Sequence, residues 1–195
     1  LVGSEKSVLG VIAIRDQLRA NARKAIEQLH RIGIKQIAML TDDNRRTAEA
    51  IARELELDLV FAELKPEDKA AAVRQLSQTV GHVVMVGDGI NDAPALAEAT
   101  VGVAMGAAGT DVALETADVV LMADDLEKLV YALKLARRNQ KVVKQNLFLS
   151  AVVIGGLVIG AVSGVFTLPI AVLGHELSEF AVIGNGLRML RSQDK

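Results

Sequence analysis

The sequence predicts an α/β fold, a Rossmann-like parallel sheet, followed by a two-helix transmembrane hairpin. Three observations carry that expectation. Short runs rich in Val and Ile alternate with stretches whose apolar residues recur at helical spacing. A glycine-rich, acidic loop stands at the end of one such run. No side chain between Leu147 and Leu168 is charged.

In chain order, Ser7 to Ile14 reads as a strand and Ala22 to Ile32 as a helix, with Ala22, Ile26 and Leu29 on one side. Lys35 to Leu40 is a strand, Arg45 to Glu54 a helix, Leu59 to Phe61 a short strand, Pro66 to Leu76 a helix and His82 to Val86 a strand. Pro66 suits a first helical turn, where its missing N–H would be unpaired anyway. Asp92 to Ala97 reads as a short helix, Val101 to Met105 as a strand, Asp111 to Thr116 as a helical turn and Val119 to Met122 as a strand. Such alternation implies a parallel sheet covered on both faces, with ligands at the carboxyl ends of its strands. Residues 1–125 are expected to form this domain.

From Leu126 the pattern becomes one long helix, basic over 126–146 and then wholly apolar. About 20 apolar residues cross a bilayer as a helix. Leu147 to Val165 meets that length, Gly164 to Pro169 suits a tight turn, and Leu168 to Leu187 is expected to return, so that 147–191 holds two membrane helices and 192–195 a tail. Lys134, Arg137, Arg138, Lys141 and Lys144 precede the pair, and Arg188, Arg191 and Lys195 follow it. Basic flanks face the cytoplasm. The expected location is therefore an integral protein of the plasma (inner) membrane, with the α/β domain and the C-terminus cytoplasmic and the hairpin turn outside. A buried helical hairpin of a soluble protein is the alternative, but such a domain rarely needs so long an uncharged run.

Composition excludes other classes. A formal net charge of -2 and 3% aromatic residues argue against nucleic acid as a partner, which calls for a basic stripe or stacking platform. With no cysteine, disulfides and thiolate metal sites are ruled out within the chain. The first residue is Leu1 and no cleavable signal peptide is visible, so the chain reads as cut from a longer protein.

The chemistry concentrates in Gly87-Asp88-Gly89-Ile90-Asn91-Asp92-Ala93-Pro94. Two glycines let backbone approach a ligand, and two carboxylates in one turn suit a hard cation beside phosphate, since Mg²⁺ prefers carboxylate oxygen and water. The string resembles the hinge motif of P-type ATPases, whose phosphorylation domain has the haloacid-dehalogenase-like fold. Lys65-Pro66-Glu67-Asp68-Lys69 is similar to the family segment whose last lysine contacts the phosphorylated aspartate. Met39-Leu40-Thr41-Asp42-Asp43-Asn44 is similar to the segment whose threonine hydrogen-bonds the phosphoryl group. Val103 to Gly106 and Ala117 to Leu121 match further stretches, so the likeness runs from about Val8 to the C-terminus.

The resemblance implies that Asp88, between Gly87 and Gly89, holds Mg²⁺ together with Asp92; that Lys69 supplies a fixed positive charge; that Thr41, beside Asp43, donates a hydrogen bond; and that Asn91 and Asp92 shape the loop. Taken singly, Lys69 could be a solvated helix charge and Thr41 a helix cap. ATP would be bound mainly by an upstream domain, so the missing N-terminal remainder of the pump is an expected partner. Two departures stand out. Asp42 replaces a family glycine, bringing a carboxylate and a Cβ into a turn near the phosphate. The family's Asp-Lys-Thr-Gly-Thr string, which carries the phosphorylated aspartate, occurs nowhere in these 195 residues.

Two closing membrane helices resemble the heavy-metal (type IB) branch, in which the last helix supplies transport-site residues. Here it offers His175, Glu176 and Glu179. Ionisable groups at membrane depth are costly and by default functional. His175 and Glu179, four apart, share a helix face, and imidazole with carboxylate suits Zn²⁺, Co²⁺ or a similar divalent ion. The position is similar to the His-Glu-Gly-Gly motif of cobalt and zinc exporters, with Leu177 and Ser178 in place of the glycines. The expected function is thus part of an ATP-driven exporter of a divalent metal ion, set in a lipid bilayer. Competing readings are a phosphatase of the same fold using Asp16, which lacks the acidic partner expected beside it, and a non-catalytic membrane protein that assembles with a complete pump.

Overall fold

The computed structural model describes residues 2–4, 7–10, 18–88, 91–106 and 115–190. The chain divides into two compact units, Leu1–Val130 and Tyr131–Lys195.

The first unit opens with a strand that the residue pattern does not announce. β1 (Val2–Ser4) pairs antiparallel with β2 (Ser7–Gly10), because a link of two residues can only return the chain antiparallel. The remainder of the strand expected up to Ile14 lies outside the described residues, as does Asp16. α1 (Ala22–Arg31) buries Ala22, Ala25, Ile26 and Leu29. β3 (Ala38–Leu40) pairs parallel with β4 (Leu59–Phe61). It starts later than Lys35 because the Ile37 N–H donates to the Asp58 carboxylate at 2.7 Å instead of to a strand.

Between those strands runs α2 (Arg45–Leu55), capped by Asn44, whose Oδ1 accepts from the Thr47 N–H at 3.0 Å. α3 (Pro66–Val80) continues past Leu76 to a stop at Gly81, φ 91°. β5 (Val84–Gly87), β6 (Val101–Met105) and β7 (Val119–Leu121) form a parallel sheet in that order, with α4 (Ala93–Glu98) between the first two. Most of the helical turn expected at Asp111 to Thr116 lies outside the described residues.

Burial follows the periodicity. Val73 of α3, Met85 of β5, and Ala95 and Leu96 of α4 form one buried cluster, and Leu40 of β3 packs against it. Around it, Arg74 of α3 forks onto Glu98 of α4, which raises the guanidinium's pKa and holds the Glu98 carboxyl below its ordinary range. Arg19, Asn21 and Lys24 bind Asp124, Asp125 and Glu127, tying the start of α1 to the segment after β7. Glu127 raises the Lys24 pKa through that hydrogen bond.

The second unit is helical. α5 (Leu126–Val162) begins in the first unit and runs on into the second; a turn leads to α6 (Leu168–Leu187). The turn is closed by the Val165 and Phe166 N–H groups donating to the Gly160 carbonyl at 2.9 and 3.0 Å, with Gly164 at φ 73°. Gly160 lies under the Phe166 ring and Gly174 under Leu157. At the other end Asn185 Nδ2 donates to Asn146 Oδ1 at 2.7 Å. Among the described residues one helix, α5, is long and apolar enough to cross a membrane. α6 has 20 residues, but His175, Glu176 and Glu179 interrupt its apolar run.

Close packing of α4 on the sheet requires Gly102: a Cβ there would stand 2.8 Å from the Leu96 carbonyl oxygen. Gly102→Ala is therefore expected to lower stability by about 1–3 kcal/mol, in the range of overpacked cores. Thermal unfolding of the chain in detergent checks this, and an unchanged midpoint would contradict the packing described.

Candidate functional site

The loops at the carboxyl ends of β3 and β5 carry the acidic and hydroxyl groups. Leu40 and Met85 belong to one packed cluster with Val73 of α3, so Thr41 and Asp88 leave the two strands beside the helix that carries Lys69. β3 and β5 belong to two separate parallel sheets, and in each the carboxyl end is the one at which ligands bind.

Lys69 and Asp92 come together. The Lys69 ammonium donates to Asp92 Oδ1 at 2.8 Å, and the two side chains are only 12% and 16% exposed. Lys69 is therefore not a solvated helix charge. The helix that presents it is fixed locally: the Asp68 carboxylate accepts from the Lys65 N–H at 3.1 Å, and Pro66 occupies the first turn. Asp92 in turn begins α4, whose Leu96 N–H donates to its carbonyl at 2.8 Å. Its carboxylate lies over Gly87, where an added Cβ would meet Oδ2 at 2.6 Å and the Asp92 Cβ at 2.7 Å. Gly87 is thus a glycine because Asp92 occupies the space its side chain would fill.

Thr41 and Asp43 form a second local pair. Thr41 Oγ1 donates to Asp43 Oδ2 at 3.1 Å and accepts from the Asp43 N–H at 3.1 Å. The cap of α2 is Asn44, not Thr41. Glu63 supports this loop in the left-handed region, φ 60°; its N–H donates to the Asp43 carbonyl at 2.9 Å and its carboxylate accepts from the Arg45 N–H at 3.4 Å. Asp42 is exposed and its φ is not positive, so the residue in the glycine's place strains no backbone.

Asp88 and Asn91 are exposed at the strand end, whereas Gly89 lies outside the described residues. In the second unit, His175 Nε2 stands 3.6 Å from Glu179 Oε1, and the Ser178 hydroxyl donates to the His175 carbonyl at 2.7 Å. Glu176 is exposed. Among the described residues no group of three or more His, Asp or Glu is gathered as a metal cage. Residue patterns alone miss the Lys69–Asp92 pair and the role of Glu63. Only the first has a signal, a lysine one turn into a proline-started helix ahead of a Gly-Asp loop.

The sequence pattern of haloacid dehalogenase-like hydrolases matches residues 2–100, and the chain belongs to that family. Its resemblance to heavy-metal P-type ATPases extends over the whole chain. It is 44% identical, over 100% of its own length, to 27% of a probable cadmium-transporting ATPase of Alkalihalophilus pseudofirmus. It is 48% identical, over 97% of its length, to 30% of a zinc-transporting ATPase of Bacillus subtilis. A crystal structure of a zinc-transporting PIB-type ATPase in its E2.Pi state superposes with a TM-score of 0.85 at 44% identity, covering 95% of this chain and 30% of that one. The chain therefore spans less than a third of the length of these relatives.

Removing the ammonium leaves a largely buried carboxylate without its cation. Lys69→Ala is expected to cost about 3 kcal/mol by the penalty for breaking such pairs, and Lys69→Met with Asp92→Leu to recover most of it. Chemical denaturation of the three proteins tests this; equal stability of Lys69→Ala and wild type would show that the pair is solvated.

Proposed function

We propose that this chain is part of an ATP-driven pump for divalent metal cations, supplying the groups that surround a transferring phosphoryl group and the metal-site residues of its last membrane helix. The observation that carries this reading is the shielded Lys69–Asp92 pair, set on Gly87 at the carboxyl end of a parallel sheet. Lys69 presents a fixed positive charge at the mouth of the site, held in place by Asp92. Thr41, oriented by Asp43, offers a hydroxyl donor. Preorganised donors of this kind stabilise developing negative charge without reorganising.

The donor set fits Mg²⁺. Asp88 and Asp92 are hard carboxylates in one loop, and Mg²⁺ is commonly held by one or two carboxylates with water and phosphate oxygens, which needs no cage of three protein ligands. The ion would neutralise charge on the phosphoryl oxygens. Asn91 and the flanking glycines, Gly87 and Gly89, shape the loop. The Asp-Lys-Thr-Gly-Thr string does not occur in these 195 residues, and on this reading the chain alone forms no phosphoenzyme and depends on the remainder of the pump.

α5 and α6 form the membrane hairpin, in a plasma membrane with the α/β unit on the cytoplasmic side. Support comes from the hydropathy of α5 and from the exposed apolar surface of both helices, with Ile159 at 71% and Leu168 at 78%. His175, Glu176 and Glu179 are the transport ligands contributed by this chain. Their nitrogen and oxygen donors favour Zn²⁺, Co²⁺ or a similar ion, and the cadmium and zinc transporters among the relatives agree with a divalent cargo. On this reading, other ligands come from helices outside this chain.

The test is metal-activated ATP hydrolysis by the full-length transporter with His175→Ala, Glu176→Gln and Glu179→Gln made one at a time. At least one of them is expected to lower metal activation tenfold or more while leaving membrane insertion intact. Undiminished activation in all three removes these residues from the transport path.

A further inference from the structure

The basic run ahead of the apolar segment is used by neither the phosphate site nor the transport ligands. On α5, Arg137, Lys141, Lys144 and Phe148 recur at three- and four-residue intervals and so share a helix face. With Gln140 and Gln145 they line an open groove of about 440 Å³. Arg188 of α6 reaches the same place, donating from Nη2 to Gln145 Oε1 at 3.2 Å.

The charge here is uncompensated. No Asp or Glu occurs between Lys128 and His175, and among the described residues no carboxylate pairs with Arg137, Arg138, Lys141 or Lys144. Beside the cations, Leu147 and Phe148 stand 66% and 73% exposed where the apolar run begins. Fixed cations bordered by an exposed aromatic and aliphatic surface match a ligand that is anionic at one end and apolar at the other. A free anion would have no use for Leu147 and Phe148, and an acidic protein surface would not need them bare.

We propose that this groove binds the phosphate headgroup of an anionic phospholipid, with its acyl chains along Leu147 and Phe148. Basic clusters just cytoplasmic of a membrane helix hold such headgroups by charge and by hydrogen bonds to phosphate oxygens. The inference rests on the reading that α5 crosses the membrane, and on nothing about the transported ion.

The test uses the full chain in nanodiscs of phosphatidylcholine mixed with phosphatidylglycerol. Lipid retained after detergent extraction is counted by native mass spectrometry, and alkaline extraction from matched vesicles reports insertion. Phosphatidylglycerol is expected to be enriched over phosphatidylcholine. Enrichment should fall about fivefold per cation removed in the series Arg137→Gln, Lys141→Gln and Lys144→Gln, with insertion unchanged and with Arg137→Lys close to wild type. A chain that inserts but retains both lipids equally, or a triple variant that enriches as wild type does, overturns the headgroup site and leaves the membrane reading standing. A chain stripped by alkali overturns both. Displacement of the bound lipid by inorganic phosphate at constant ionic strength would assign the groove to free anions and would equally overturn the proposal.

Discussion

The loop after β5 depends on how Asp92 is held. One carboxylate oxygen takes the Lys69 ammonium, and the rest of the side chain lies on the bare Cα of Gly87. Those contacts join α3, the end of β5 and the start of α4 at a single residue. Neither would survive alone: without Gly87 the carboxylate would be pushed off the strand, and without Lys69 a shielded charge would lack its counter-ion. The buried cluster of Val73, Met85, Ala95 and Leu96 lies beneath the same elements, so apolar packing and the ion pair fix one arrangement. The Lys69 ammonium is thereby kept in one place beside the end of β5 instead of moving on a free lysine stem.

Much of this arrangement is legible in the amino-acid sequence. The strand that ends in Gly87 follows from a Val-rich run, the one that ends in Leu40 from a short apolar run, and the helices from apolar spacing. The positions of Thr41 and Asp88 at the carboxyl ends of parallel strands follow from the alternation of strands and helices. What escapes the sequence is of another kind. The hairpin of β1 and β2 is set by pairing between segments, to which local pattern is blind. The cap of α2 falls to Asn44 because its side chain, not that of Thr41, reaches the Thr47 N–H. Asp42 is intrusive only by comparison with a glycine, and its backbone is ordinary for any residue. The partner of Lys69 lies 23 positions downstream, a separation that no periodicity reports.

The helical unit is governed by the converse condition, apolar side chains with nothing over them. Phe148, Ile159, Val162 and Leu168 are widely exposed, while Asn185 donates across the hairpin to Asn146 and Ser163 and Ser178 donate to the Gly160 and His175 carbonyls. Helices that associate in lipid rely on small residues and on such hydrogen bonds because lipid gives no hydrophobic drive between them. Gly160 under Phe166 and Gly174 under Leu157 fit that pattern. His175 and Glu179 face one another on α6, 3.6 Å apart.

The central claim is that Asp88, Lys69 and Thr41 serve a phosphoryl transfer whose nucleophile lies elsewhere in a longer transporter. Its most direct measurement is acid-stable, hydroxylamine-sensitive labelling from radioactive ATP, compared between the full-length transporter, its Asp88→Asn variant and the present chain alone. Labelling of the full-length protein alone is the result predicted, with the variant reduced at least tenfold and the isolated chain blank. Full labelling of Asp88→Asn, or any labelling of the isolated chain, would contradict it.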